Sequence, residues 1–397
     1  MRIMWLSNAP WSHTGYGNQT EIFAPRINAL EGVDLSIMSF YGLEGSMLTW
    51  NGIDVFPRHR HPYGMDIIDA HARRWKADVV ISLMDAWVVD PMMIRPPLKW
   101  IPWFPIDSEP MPIAVERKVA QAHKRIVFSH FAEQMCHDKD LDCYYVPHGV
   151  RTDGFKPVGM AEAREALQIP QDVFLIGIVA ANKGNPSRKA FTQQLDAFKM
   201  LRDKHDDVRL YLHTDPQGDS GINLPEYINH LGLTIGRDIV FAPHYDYLVG
   251  LPEDKMNLLY NAFDVHSLVS LGEGFGIPIM EAQSAGCPVI VGDWTAMGEL
   301  CLSGWKVDKS EADHIWTGVA GYQYIPRVQP IYEAYEAAYR MKGNMDYRKQ
   351  ARSQALKYDA DKITEKYWKP VLADIAESLE DKPAESVSIP VPELPEA

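Results

Sequence analysis

Glu273 and Glu281 lie eight positions apart in Glu273-Gly-Phe-Gly-Ile-Pro-Ile-Met-Glu281, on either side of a turn that leads into a helix. Pro278 suits the first helical turn, where its missing N–H had no partner. Small and apolar residues through Met280, Ala282 and Ala285 continue the helix, and Gly286 suits a left-handed cap. Glu273 and Gly274 then fall on the loop, while the amides of Phe275 and Gly276 face outward at the positive helix end. That end favours an anion such as phosphate. A carboxylate accepts two hydrogen bonds side by side and so matches a vicinal diol. An anion cradle between two diol clamps is the chemistry that a nucleotide-sugar requires.

A second group of charges belongs to the same chemistry. Lys183, Arg188 and Lys189 lie within seven residues, on the turn after the apolar run Val173–Ala180. A diphosphate gains negative charge as it leaves a sugar, and cations placed there stabilise the transition state more than the ground state. With such cations a metal is not required, and no pair of aspartates sits at a strand end where a metal would be held. Near the N-terminus, Gly15 and Gly17 follow the first apolar run, Ile3–Leu6, and precede a helical stretch, Asn18–Leu30. They let the backbone approach a ligand at the carboxyl ends of strands. The third glycine of a dinucleotide fingerprint is absent, which argues against a dehydrogenase.

The run Ser270 to Glu299, SLGEGFGIPIMEAQSAGCPVIVGDWTAMGE, resembles the donor-binding signature of glycosyltransferase family 4, whose members are retaining enzymes of the GT-B fold. The resemblance implies Glu281 on the donor ribose, Glu273 on the hexose hydroxyls, and Gly15 and Gly17 against the donor phosphate from across a cleft. It makes Lys189 the family's phosphate lysine. The family's arginine position holds Ala-Asn here, so either Lys183 or Arg188 takes that role. The segment VPHGVRTDGFKP matches the family's linker, with His148 where asparagine is usual. Asp107, in WFPIDSEP, occupies the place of a histidine near the reacting carbon, with Asp85 as its rival. Either could receive the proton of an acceptor hydroxyl. Asp107, Lys189 and Glu273 are thus the expected catalytic set.

The acceptor belongs to the first half of the chain. Seven of the 11 tryptophans precede residue 150, a bias that favours an aromatic platform for a sugar ring or a base. Trp11, Tyr16, Trp87, Trp103 and Phe104 fall near expected strand ends, beside Asp85. His244, after another strand, is placed near the nucleobase. His13 and His148 read as structural, and Arg58-His-Arg-His61 as a solvated loop.

Around these residues the sequence reads as α/β throughout. Short apolar runs at Ile3–Leu6, Val33–Met38, Val79–Leu83, Trp100–Phe104, Ile126–Phe128 and Tyr144–Val146 suit buried parallel strands alternating with amphipathic helices. A second alternation runs through Val173–Ala180, Val208–His213, Ile239–Ala242, Val265–Val269 and Pro288–Val291. Two doubly wound, Rossmann-like domains follow, an acceptor domain over 1–153 and a donor domain over 154–355. Asp346–Glu380 reads as a long helix whose last part, Ala360–Glu380, crosses back to the first domain. Residues 381–397, rich in Pro, Glu and Ser, read as a disordered tail.

The net charge of −14 argues against a nucleic-acid partner, although only −3 of it lies in residues 1–150. No apolar run reaches the roughly 18 residues that span a bilayer. The four cysteines lack metal-site spacing and read as free thiols, so a cytoplasmic protein without cofactor is expected. The leading reading is hexose transfer from a nucleotide diphosphate sugar to a hydroxyl acceptor. Transfer to modified bases of DNA, or nucleotide-sugar binding without catalysis, are the alternatives.

Overall fold

The computed structural model describes residues 1–218 and 220–380, so the tail expectation for 381–397 falls outside the described residues. The first domain carries an eight-stranded sheet of β1 (Arg2–Asn8), β2 (Asp34–Tyr41), β3 (Leu48–Trp50), β4 (Ile53–Pro57), β5 (Val79–Leu83), β6 (Lys99–Phe104), β7 (Ile126–Val127) and β8 (Tyr144–Tyr145). Its spatial order is β3-β4-β2-β1-β5-β6-β7-β8. All neighbours are parallel except β3 with β4. The central strands are buried on both faces, which is why they read as unbroken apolar runs.

The second domain carries six parallel strands, β9 (Phe174–Val179), β10 (Val208–His213), β11 (Ile239–Phe241), β12 (Val265–Leu268), β13 (Val289–Gly292) and β14 (Gly304–Val307). Their order is β11-β10-β9-β12-β13-β14. In both sheets the order reverses beside the first strand, and a crevice opens at the carboxyl ends there. Arg164 joins the small helix Met160–Ala166 to this domain. Its buried guanidinium pairs with Asp264 at 2.7 Å and donates to the carbonyls of Ala262, Gln171 and Val173.

Two hairpins lie outside the expected strands. The β3–β4 hairpin turns on Asn51-Gly52, both left-handed at φ +48° and +79°, the pairing that a type I′ turn demands. The second, β15 (Ala312–Trp316) with β16 (Tyr322–Pro326), leaves the second domain and bridges the first. Glu109 and Tyr322 exchange backbone hydrogen bonds at 3.1 and 2.7 Å, and the Glu109 carboxylate pairs with Lys309 and the Tyr324 hydroxyl.

The expected single helix over Asp346–Glu380 is broken. Met345–Ala355 ends in a 3-10 turn, and Asp359 caps a new start by accepting from the amides of Asp361 and Lys362. The break is where the chain crosses between domains, held by the Val150 amide on the Tyr358 carbonyl at 2.9 Å. Beyond it, Trp368 is fully buried against Trp5, Phe23 and Trp103 of the first domain, at centroid distances of 5.6, 6.0 and 4.9 Å.

Trp103 is therefore corrected from acceptor platform to core. It is fully buried, its indole N–H donates to the Val146 carbonyl at 2.8 Å, and Phe104 is equally enclosed. A strand buried on both faces leaves no side chain free for the crevice. Trp368→Ala should lower first-domain stability by about 3–5 kcal/mol, the usual cost of truncating a buried aromatic. Urea unfolding followed by tryptophan fluorescence measures it.

Candidate active site

Between the two sheets' carboxyl ends lies a cavity of about 780 Å³, within the size range of small-molecule sites. The signature loop forms one wall. Gly276, at φ +105°, turns the chain into the helix Ile277–Ser284, with Pro278 in its first turn and Gly286 left-handed beyond its end. Phe275 borders the cavity but is almost fully buried. Its ring is buried against Phe128, His148 and Tyr358 and anchors the loop. Gly274 permits close approach: a Cβ there would come within 2.3 Å of Pro105 on the opposite domain.

Lys183, Arg188, Lys189 and Glu273 lie together on this cavity. Lys189 pairs with the Glu273 carboxylate, whose own backbone N–H donates to Thr295 Oγ1 at 3.1 Å. Burial raises the Glu273 carboxyl, but the charges of Lys189 and Arg188 outweigh it and hold the group below its ordinary value. Arg188 reaches across the cleft, donating to Asp107 Oδ2 at 3.4 Å and the Gly272 carbonyl at 3.2 Å. Lys183 lines the cavity with no ion-pair partner among the described residues.

On the facing wall stand Thr14, Gly15, Tyr16, Asp85, Trp87 and Asp107. Thr14 caps the helix Gly15–Asn28, its hydroxyl accepting from the Gly17 amide at 3.0 Å. Burial raises the Asp85 carboxyl, and the charge of Asp107 adds to it. Burial also raises Asp107, against the pull of Arg188. Tyr16, half-buried beside both carboxylates, is pushed well above its ordinary range by desolvation and by the charges of Asp85 and Asp107. Gln323 from β16 donates to Asp107 Oδ2 at 3.2 Å, and Thr317, Gly318 and Val319 at the hairpin tip cover the cavity.

Several expected residues lie outside the cavity lining. Gly17 serves the turn, since a Cβ would come within 2.1 Å of the Ser12 carbonyl oxygen. Trp11 is exposed and donates to the Gly42 carbonyl at 2.8 Å. His244 is exposed at the start of a short helix. Glu281 sits one turn beyond the lining residues Ile277 and Pro278, accepting from the Tyr260 hydroxyl at 2.9 Å. Burial pushes its carboxyl up to about 7, with that hydrogen bond opposing.

The sequence reading missed the hairpin's contribution and that of His148. His148 lines the cavity, stacks on Phe128 at 4.1 Å, and makes no hydrogen bond to other described residues. Burial lowers its imidazole to about 3, so it is neutral. Gly318 and Gly321, between alternating Trp316 and Tyr322–Tyr324, were the legible hairpin signal.

Glu281 makes stability depend on pH. Its folded value of about 7 exceeds its ordinary 4.5, so its favourable contribution is complete below 4.5 and lost as pH rises through 7. Glu281→Gln should gain stability relative to wild type between pH 5 and 8, by at most about 3 kcal/mol. Denaturation midpoints across that range test it. Gly274→Ala should wedge the loop from Pro105 and lower any cleft-dependent activity about tenfold or more, as misplacements of an ångström can. Steady-state rates beside a melting curve separate this from unfolding.

Comparison with known proteins agrees with this geometry. Residues 174–319 match the family Glycosyl transferases group 1. A D-inositol 3-phosphate glycosyltransferase of Acidothermus cellulolyticus is 30% identical over 151 residues, covering 36% of this chain and 32% of that protein. Its counterpart in Streptomyces scabiei is 31% identical over 199 residues, covering 46% and 42%. The matches thus span less than half the length of these relatives. Among solved structures, sucrose-phosphate synthase from Thermosynechococcus elongatus superposes with a TM-score of 0.72 at 16% identity, over 95% of this chain and all of that one. Anabaena HepE in complex with UDP-glucose gives 0.67 at 15% identity, over 94% of this chain and 100% of that one. The chain has the GT-B fold, and residues 174–319 in its second domain are similar to the glycosyl transferases group 1.

Proposed function

We propose that this protein is a retaining, family 4-like hexosyltransferase that uses a nucleotide diphosphate sugar and a hydroxyl acceptor. The observation that carries the reading is the convergence of Lys183, Arg188, Lys189 and Glu273 with the Gly276 helix start around one interdomain cavity. The donor diphosphate lies at that helix start among the cations, and Glu273 holds hexose hydroxyls. Glu281 grips the ribose diol in its ionised form. As the bond from the anomeric carbon to the phosphate oxygen breaks, its electron pair leaves with the nucleotide diphosphate. The acceptor oxygen bonds to the same carbon on the same face, and its proton passes to the departing phosphate or to Asp107 or Asp85. Cations already stand where charge develops, so the reaction proceeds without a metal.

Cys136, Cys143, Cys287 and Cys301 are all free thiols, which supports a reducing, cytoplasmic setting. No described helix is long and apolar enough to cross a membrane.

A screen of uridine, guanosine and adenosine diphosphate hexoses, read by donor hydrolysis and thermal shift, tests the reading. Lys189→Ala should lower kcat/KM by about 100-fold or more, the usual effect of deleting a group that meets developing charge. Glu281→Ala should raise the donor Kd about tenfold to a hundredfold, the worth of one charge-assisted hydrogen bond of about 1.5–3 kcal/mol. Wild-type rates in both variants at sub-saturating donor would refute the site.

A further inference from the structure

The two walls of the cavity differ in charge. Every lysine and arginine that lines it, Lys183, Arg188 and Lys189, comes from the second domain. Among the described residues, the first-domain wall brings no cation, only the carboxylates of Asp85 and Asp107 beside the exposed ring of Trp87 and the hydroxyl of Tyr16. The hairpin adds the neutral polar groups of Thr317 and Gln323. Two of these three cations are also committed. Lys189 is paired with Glu273, and Arg188 with Asp107 and a carbonyl. His148, at the junction of the walls, is neutral.

Three cations therefore face three carboxylates in one enclosure. The enclosure is balanced before a donor enters, and the donor diphosphate makes it net negative. A phosphomonoester would add about two further negative charges at pH 7. It would meet two carboxylates at short range, where low-dielectric walls strengthen the repulsion. A neutral polyhydroxy compound meets the opposite conditions. Carboxylates accept from its hydroxyls, and the face of an indole packs on its C–H surface.

We propose that the acceptor is an uncharged polyhydroxy compound, a free sugar, a cyclitol or a glycan end, stacked on Trp87 with its hydroxyls on Asp85 and Asp107. This rests on the transfer reading above and departs from the phosphorylated acceptor in the names of the similar bacterial enzymes.

The test offers wild-type protein, with the donor it hydrolyses, three matched acceptor pairs. These are myo-inositol, glucose and fructose, each beside its monophosphate, with DNA carrying hydroxymethylated bases as a fourth arm. At least one neutral compound should be glycosylated with kcat/KM tenfold or more above that of its phosphate. Trp87→Arg should move the phosphate-to-neutral ratio upward by tenfold or more. Equal or better use of a phosphate or of DNA, or donor hydrolysis with no transfer to any neutral compound, overturns the proposal while leaving the donor reading intact. If the protein neither hydrolyses nor binds any nucleotide-sugar, both fall together.

Discussion

The ion pair between Lys189 and Glu273 is the contact on which the site depends. It ties the first turn of the second domain to the signature loop, two segments 84 residues apart in sequence. Each partner is largely removed from water, and a lone buried charge is far costlier than a pair. The pair therefore holds both segments at one distance, with the helix start of Gly276 beside them. Arg188 extends the arrangement across the cleft to Asp107, so charge complementarity also bears on how the domains face each other.

Close backbone approach does the rest of that work. Gly272 and Gly274 let the signature loop abut Asp107 and Pro105, where any side chain would collide with the opposite domain. Behind the loop, Phe275, Phe128, His148 and Trp103 form a continuous aromatic cluster that reaches Trp368 on the returning C-terminal segment. Rigid rings packed edge to face transmit position with little slack. The chain crossing, the interdomain linker and the ligand-facing loop thus share one core. The β15–β16 hairpin closes the opposite side through Glu109 and Gln323.

Chemistry is divided between the walls. The second domain supplies cations and a helix start, suited to a leaving diphosphate. The first supplies carboxylates and an aromatic face, suited to hydroxyls. A cavity built this way presents cations from one domain and carboxylates beside an aromatic ring from the other. Glu281, on the same short helix, has its carboxyl raised by burial to about 7.

Local order was legible from residue order because its causes are local. Doubly buried strands appear as apolar runs, Gly276 and Pro278 mark a helix start, and the three cations that line the cavity lie within seven residues of one another after β9. Which aromatic residues face the cavity depended on packing between distant segments. Trp87 and Trp103 both stand near strand ends, yet one is exposed and the other sealed by Trp5 and Trp368. The break at Asp359 follows from the crossing between domains, a tertiary demand with only a capping residue as its trace. Sequence alone therefore determined the buried strands of both sheets, the helix start at Gly276 and the run of cations after β9. Tertiary structure decided which side chains share the cavity and what each wall can bind, because exposure and charge pairing arise only once remote segments meet.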